Sequence, residues 1–198
     1  MLTNDKLIDW LTLFADELIA NKAYLSDLDS PIGDGDHGVN MARGATFLKE
    51  AFSEKQPQNI SETLKLTGMT LLSKVGGASG PLYGSAFIEM SKVTEEKLNS
   101  EALITNLKNG MAAVGKRGKS TVGEKTMLDV WDPVIKSLEK NELSSEAITT
   151  FVGKTKDILA TKGRAAFLGE RSIGHIDPGA ASSGLLFSTM LKAGVLND

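Results

Sequence analysis

The sequence predicts an all-α domain built from eight helices. Apolar residues recur at three- and four-residue steps along most of the chain, and no alternating or β-branched run bounded by turns indicates a strand. The chain has 198 residues, of which 41% are hydrophobic and 24% are charged, and it contains no cysteine. A chain of this length buries enough surface to fold without disulfides, so we expect one domain spanning residues 1–198.

The first three helices are predicted from apolar stripes and caps. Residues 5–20 carry one stripe behind a potential cap at Asn4. A second helix is expected over residues 41–55. Asn59 and Glu62 resemble a capping box, which predicts that a third helix starts there.

The next three helices are marked mainly by proline and by renewed periodicity. Pro81 suits the first turn of a fourth helix, which we expect to reach about Leu98. A fifth is predicted from Ser100. A sixth follows Thr126, and Pro133 is expected to kink or restart it.

The last two helices have clear caps at their N-termini. Ser144 is the predicted cap of a seventh helix that continues to Leu159. Asp177 and Pro178 form a cap and first-turn pair for an eighth helix, expected to end near Leu196. Helices joined by short links run antiparallel to their neighbours, so successive links alternate between the two ends of the bundle.

The four odd-numbered links are rich in glycine and in functional side chains, whereas the even-numbered links are short and plain. Alternation places these odd-numbered links at one end: residues 29–38, 76–80, 118–125 and 163–179. Four helix N-termini would then face one place, and their free N–H groups and partial positive charge attract anions, phosphate above all.

Three carboxylates lie within eight residues of the first link, at Asp29, Asp34 and Asp36. Such a trio favours a hard cation, and Mg²⁺ typically fills its remaining positions with water and substrate phosphate. A metal-bridged phosphate at this end of the bundle is therefore predicted. The alternative reading is that these aspartates only cap helices and form turns.

The charge and composition exclude some functions. Lys and Arg number 22 against 25 Asp and Glu, which gives a net charge of −3. A nucleic-acid partner is therefore not expected. No apolar run approaches a membrane span, and the chain shows neither cysteine nor a leader segment, so we expect a cytoplasmic protein without membrane contact.

Four ordered motifs together resemble the nucleotide-binding L subunits of the bacterial phosphoenolpyruvate-dependent dihydroxyacetone kinases. The motifs are GDGDHGVNMARG, GGASGPLYG, GEKTMLDVWDP and GRAAFLGERSIGHIDPGA. The resemblance covers essentially the whole chain. It implies an eight-helix antiparallel up-and-down barrel with the nucleotide at one rim, in agreement with the alternation of the links.

The resemblance also implies roles for individual residues and partners. Asp29, Asp34 and Asp36 match the Mg²⁺ ligands, with two ions expected. The matched ADP or ATP contacts are His37, Gly38, Val39, Asn40, Ala78, Ser79, Gly118, Met127, Arg164, Asp177, Pro178 and Gly179. Bound ADP would receive a phosphoryl group from a phosphohistidine of an M subunit and pass it to dihydroxyacetone on a K subunit. No side chain of this chain is expected to act as a catalytic nucleophile, and Glu124, where relatives often have aspartate, is given no role.

Two other functions stay open at this stage. One is a kinase subunit of the same fold that exchanges ATP freely and serves another small hydroxylated substrate. The other is a regulatory module that senses nucleotide without catalysis. Turnover in a reconstituted system distinguishes all three.

Overall fold

The computed structural model describes residues 1–196, and over these residues it is helical, with one isolated β-bridge between Leu2 and Leu98. Asn197 and Asp198, the end of the predicted domain, lie outside the described residues. The α-helices are α1 Asn4–Ala20, α2 Lys22–Asp29, α3 His37–Lys55, α4 Ile60–Lys74, α5 Ser79–Met90, α6 Ser100–Gly118, α7 Leu128–Glu139, α8 Ser145–Lys154 and α9 Pro178–Lys192. Short 3₁₀ helices cover Thr155–Asp157 and Arg164–Ser172. The predicted all-α class is confirmed.

Most predicted caps are present, but the cap of α1 is not Asn4. The hydroxyl of Thr3 accepts the backbone N–H of Lys6 at 3.4 Å. Asn4 lies inside the helix, and its side chain donates to the carbonyl of Pro57 at 2.9 Å. The prediction was wrong because Thr3, directly before Asn4, also has a side chain that can cap a helix. The hydrogen bond of Asn4 to residue 57 decides between them, and the local sequence does not show it.

Several predicted boundaries also move. The short helix α2 was not predicted, and α3 begins at His37, four residues before the expected start. The helix α5 ends at Met90, well before Leu98, because the chain turns there to let Leu98 exchange backbone hydrogen bonds with Leu2 at 2.8 and 3.0 Å. Local periodicity carries no information about such a long-range pairing.

The C-terminal part differs in the same way. The helix α7 runs through Pro133 without a break, and α8 stops at Lys154, where the buried Thr155 begins a 3₁₀ turn, rather than continuing to Leu159. The last helix ends at Lys192, short of Leu196, and is followed by a turn at Gly194.

The eight longer helices pack as a closed cycle of neighbours. Each of α1 and α3–α9 contacts the next one along the chain, and α9 returns to contact α1, while α2 lies against α3 and α9. This order is the one that the predicted barrel requires, and the barrel itself stays a prediction. Large apolar and aromatic side chains fill the shared core, among them Trp10, Phe14, Tyr83, Trp131 and Phe187. Over the part of the chain that is described, no helix combines the length and the apolar character needed to span a bilayer.

Two of the even-numbered links meet the chain start at one end of the bundle. The hydrogen bonds of Leu2 with Leu98 and of Asn4 with Pro57 join the chain start to these two links. The four odd-numbered links surround a cleft at the other end. The predicted convergence of these four links is therefore observed.

Candidate functional site

A cleft of about 490 Å³ lies between the four odd-numbered links. It is lined by thirteen of the fifteen predicted site residues: Asp29, Asp34, Asp36, His37, Asn40, Ala78, Ser79, Gly118, Met127, Arg164, Asp177, Pro178 and Gly179. The two others, Gly38 and Val39, are not among the lining residues. The helices α3, α5, α7 and α9 begin at this cleft. Asp29 and Asp177 already accept N–H groups at the starts of α3 and α9, whereas the start of α5 has no side-chain cap and offers its free N–H groups to the cleft.

The three aspartates come together as the sequence predicts. One carboxylate oxygen from each of Asp29, Asp34 and Asp36 lies within 4.8 Å of the others. Asp29 is buried, and its Oδ2 accepts the backbone N–H groups of Asp36 at 3.0 Å and His37 at 3.2 Å. Asp29 therefore caps the start of α3, as the alternative interpretation of this loop predicts, while the role of the trio as metal ligands stays a prediction.

The chemistry of this donor set suits a hard divalent cation. The three side chains offer only carboxylate oxygens, and Oδ1 of Asp29 has space only because residue 33 is glycine: a Cβ there would lie 2.0 Å from that oxygen. Arg164 reaches the trio from the opposite side of the cleft, with Nη1 2.9 Å from Oδ2 of Asp34. A guanidinium so placed would also reach a phosphate held by the metal.

Gly38 and Val39 have other surroundings. A Cβ on Gly38 would lie 1.9 Å from the carbonyl oxygen of Lys22, so this glycine permits the close approach of α2 and α3. Val39 is 45% exposed and points away from the core. Any contact of these two residues with a bound nucleotide would therefore involve the backbone at the start of α3.

His37 links the cleft to the core through hydroxyl groups. Its Nδ1 lies 3.1 Å from the Ser79 hydroxyl, and its Nε2 lies 3.1 Å from the Ser182 hydroxyl. Burial lowers the pKa of His37, although Asp29 and Asp36 oppose that shift. The imidazole is thus fixed on both nitrogens by side chains from α5 and α9.

The hydroxyl chain continues into the core. The Tyr83 hydroxyl lies 2.8 Å from that of Ser182 and 3.0 Å from that of Ser183, and the indole N–H of Trp131 donates to Ser183 at 3.1 Å. Burial raises the pKa of Tyr83 to about 12, so the phenol stays protonated and can donate. A fully paired buried network of this kind holds its members in one arrangement.

Asn40 is held by a neighbour of its own. Nη2 of Arg43 donates to Oδ1 of Asn40 at 3.1 Å, while Nε of Arg43 donates to the carbonyl of Lys74 at 2.9 Å. Arg43 thereby joins α3 to the end of α4, just before the glycine loop at residues 76–80. Arg43 thus holds Asn40 where it lines the cleft.

Lys125 is the main site feature that the sequence reasoning missed. Only 1% of its surface is exposed, and its ammonium donates to the carbonyls of Thr155 at 2.6 Å, Ile158 at 3.2 Å and His175 at 2.5 Å. Burial lowers its pKa, while Asp177, Asp157 and Asp129 oppose the change. A lysine in a glycine-rich loop gave no signal of burial, because its partners are backbone groups thirty or more residues away.

Asp177 is both the cap of α9 and part of the cleft wall. Its Oδ2 accepts the backbone N–H of Ala180 at 2.7 Å. Burial raises its pKa to about 7, although the hydrogen bond to Ala180 and the charge of Lys125 act in the opposite direction. The predicted cap is confirmed.

Glu124, to which no role was given, joins two of the loops. Its carboxylate accepts the backbone N–H of Thr121 at 2.7 Å and the hydroxyl of Thr161 at 3.1 Å. The backbone N–H group of Thr121 is the first cause of its lowered pKa. Glu124 therefore joins the loop before α7 to the segment between α8 and α9.

Fold and site together define an all-helical domain whose clustered helix N-termini and carboxylates suit a metal-bound phosphate ligand. The DAK2 domain family matches residues 31–192. Because this match covers most of the chain, the protein belongs to the DAK2 domain family.

Two relatives match along nearly their whole length. The chain is 54% identical over 192 residues to the ADP-binding subunit DhaL of the PEP-dependent dihydroxyacetone kinase 1 of Listeria innocua, covering 96% of this chain and 97% of that one. It is 53% identical over 192 residues to the ADP-binding subunit DhaL of the PTS-dependent dihydroxyacetone kinase of Lactococcus lactis, covering 97% and 98%. The resemblance carried by the four motifs is thus confirmed.

Solved structures support the fold independently. The dihydroxyacetone kinase of C. freundii in its native form superposes with a TM-score of 0.75 at 23% identity, over 96% of this chain and 35% of that one. The structure of that kinase in complex with AMP-PNP and Mg²⁺ gives a TM-score of 0.74. These similarities confirm the helical fold and place it within a longer chain in that enzyme.

Proposed function

We propose that this protein is the ADP-binding phosphotransferase subunit of a dihydroxyacetone kinase. Its bound ADP accepts a phosphoryl group from a phosphohistidine on an M subunit and passes it to dihydroxyacetone on a K subunit. The observation that carries the proposal is the carboxylate trio, with ligand atoms within 4.8 Å of one another, at the cleft where four helices begin. The 54% identity to a subunit with this name supports the choice of substrate and partners.

The metal and phosphate groups divide between two sides of the cleft. Asp29, Asp34 and Asp36 would hold Mg²⁺, and we propose two ions. The N-terminus of α5, with Ala78 and Ser79, would hold phosphate oxygens through backbone N–H groups and one hydroxyl. Gly118, Met127, Pro178 and Gly179 line the remaining part of the cleft and would contact the nucleoside.

The residues of this chain contribute by binding Mg²⁺ and the phosphates and by holding them in a fixed orientation. Bound Mg²⁺ supplies charge neutralisation on the phosphates. The buried Asp29 keeps its second oxygen directed at the metal position because Asp36 and His37 N–H groups hold the first. Arg164 adds positive charge on the side that faces solvent. Together these groups favour the charge that spreads over a transferring phosphoryl group.

A covalent phosphohistidine at His37 is not part of the proposal. Both ring nitrogens of His37 contact serine hydroxyls within the protein, at 3.1 Å each. An attacking nitrogen needs a free lone pair directed at the phosphorus atom, and this arrangement offers none. The nucleotide itself is the carrier, and we propose that the complex operates in the cytoplasm as a single 1–198 domain bound to its partner subunits.

Reconstitution tests the proposal. Purified chain, loaded with ADP and Mg²⁺, is mixed with phosphorylated M subunit, K subunit and dihydroxyacetone, and dihydroxyacetone phosphate is measured. We expect turnover that depends on all three subunits and continues with catalytic amounts of ADP. Turnover driven by free ATP without the M subunit would instead identify an ATP-exchanging kinase, and the absence of turnover despite ADP binding would favour a regulatory module.

A further inference from the structure

The segment that covers one side of the cleft is a loop with its two ends held together. Between α8 and α9 the chain leaves the bundle after Thr155 and returns at Asp177. The N–H of Gly174 donates to the carbonyl of Lys156 at 2.7 Å, and the N–H of Asp177 donates to the Thr155 hydroxyl at 3.0 Å. We call residues 158–175 the outer loop. Its neck consists of the two hydrogen-bonded segments at its ends, residues 155–158 and 174–177.

One side chain from another link lies inside this neck. The Lys125 ammonium donates to the carbonyls of Thr155 and Ile158 in the first segment of the neck. It also donates to the carbonyl of His175 in the second segment. An ammonium has three N–H donors, and each finds one carbonyl here. The left-handed backbone of Lys125, with φ of 61°, directs its side chain inward from the loop that starts α7.

The other contacts that hold the outer loop are exposed or small. Glu124 accepts the N–H of Thr161 at 3.3 Å through its carbonyl and the Thr161 hydroxyl at 3.1 Å through its exposed carboxylate, which also lies 3.9 Å from the Lys162 ammonium. The apolar support of the outer loop is a small cluster of Ile32, Ala160 and Ala165 with the half-buried Leu168, which is separate from the main core. The ion pair of Arg164 with Asp34 is largely exposed and therefore contributes little. The buried lysine is thus the strongest single connection between the outer loop and the rest of the domain.

Removing the ammonium would take a donor away from three carbonyl groups. The Thr155 carbonyl would keep only the N–H of Ile158, at 3.4 Å. The carbonyls of Thr155, Ile158 and His175 would each lose a charge-assisted hydrogen bond, and unpaired buried carbonyls are costly. Opening the neck lets them reach water instead. The outer loop carries Lys162, Gly163 and Arg164 into the cleft lining, so its opening would uncover the bound nucleotide.

We propose that Lys125 is a positioning residue that keeps the outer loop closed and so sets the rate at which bound ADP leaves the cleft. This inference rests on the proposed function, because it concerns the retention of the same nucleotide. It assigns the retention to the neck of the loop rather than to the metal ligands. Retention matters for a carrier that must stay bound between two phosphoryl transfers.

The test compares Lys125→Met with Lys156→Met. Methionine fills the space of the lysine stem without donors, while Lys156 has an exposed side chain beside the same neck and serves as the matched control. Each protein is loaded with radiolabelled ADP and Mg²⁺, and its release into excess unlabelled ADP is followed. We expect release at least about tenfold faster from Lys125→Met, with an association rate within about threefold of wild type, and wild-type release from Lys156→Met.

Two further measurements keep the inference falsifiable. If Lys125→Met does not fold, Lys125→Arg replaces it, because its planar guanidinium keeps the charge but does not match three carbonyls around one atom. Trypsin cleavage after Arg164 and Arg171 reports loop opening without any nucleotide, and we expect it to accelerate in the Lys125 variant alone.

The outcomes separate the two proposals. Wild-type release and wild-type cleavage in a folded Lys125 variant would overturn the role of Lys125 while leaving the proposed function intact. A wild-type chain that binds no ADP would contradict the proposed function, and the cleavage rates would still decide whether Lys125 closes the loop.

Discussion

The two sides of the cleft are built in opposite ways. On the inner side, the starts of α3, α5 and α9 are joined by the hydroxyl network of His37, Ser182 and Tyr83, which continues into the main core. On the outer side, the loop of residues 158–175 has its own small apolar cluster and one buried lysine at its neck. A rigid wall that orients metal and phosphate can thus be combined with a cover that opens without unfolding the domain.

The largest expected effect comes from the inner side. In Gly38→Ala the new Cβ would lie 1.9 Å from the backbone carbonyl of Lys22, which has no freedom to move away. We expect a loss of more than about 3 kcal/mol in the free energy of unfolding, because α2 and α3 must separate. Urea denaturation followed by circular dichroism measures this.

A glycine in open space is the control for that substitution. Gly153 lies inside α8, and nothing is within 4 Å of an added Cβ. Gly153→Ala should raise stability by roughly 0.5–1 kcal/mol, because alanine favours the helix. If both substitutions changed the free energy of unfolding equally, the close packing of α2 on α3 would not be what stabilises the inner side of the cleft.

The aspartate trio separates ligand binding from stability. Asp36→Asn keeps the backbone N–H that Asp29 accepts but removes one metal ligand, so we expect ADP affinity in the presence of Mg²⁺ to fall about 100-fold with an unchanged melting temperature. Asp29→Asn should lower both, because Asp29 also caps α3. Calorimetric titration and thermal melts give the two quantities, and unchanged ADP affinity in Asp36→Asn would refute the metal assignment.

Asp177 gives the inner side a dependence on pH. Burial raises the pKa of Asp177 to about 7, well above the ordinary range of an aspartate, so between these two values the folded state holds a proton that the unfolded chain has already released. Stability is therefore fully present below the unfolded pKa and falls as pH rises towards 7. Asparagine caps a helix equally well and does not titrate.

Comparing Asp177→Asn with wild type isolates this effect. Between pH 5 and pH 8, the free energy of unfolding of wild type should fall by roughly 2 kcal/mol relative to that of the variant. Urea midpoints at four pH values provide the measurement. A difference that stays flat would show that Lys125 and the N–H of Ala180 fully compensate the buried carboxylate.

The inner side was also the more predictable one. Asp177 was assigned as a cap from sequence because capping depends on a hydrogen bond within three residues, and the same held for Asn59 at the other end of the bundle. The aspartate trio and the shared end of the odd-numbered links followed from glycine spacing and helix alternation. These features depend on short stretches of chain, which the sequence displays directly.

The neck and the hydroxyl network could not be predicted in this way. The partners of Lys125 are carbonyls 30, 33 and 50 residues away, and backbone groups have no sequence signal. Ser182 and Ser183 interrupt the apolar face of α9, and two adjacent serines on a buried stripe were the available signal. Without the position of Tyr83, that signal did not show a partner.

The smallest expected effect lies within the outer loop and compares two adjacent side chains. Leu168 packs on the small cluster with Ile32, whereas its neighbour Phe167 is 89% exposed. Leu168→Ala should cost the loop about 1 kcal/mol, and Phe167→Ala should cost nothing measurable. Because the loop opens separately from the core, the global melting temperature should stay within about 1 °C in both variants. Trypsin cleavage in the loop should accelerate about fivefold in Leu168→Ala alone, and a fall in global stability that matches the faster cleavage would show that loop and core unfold as one unit.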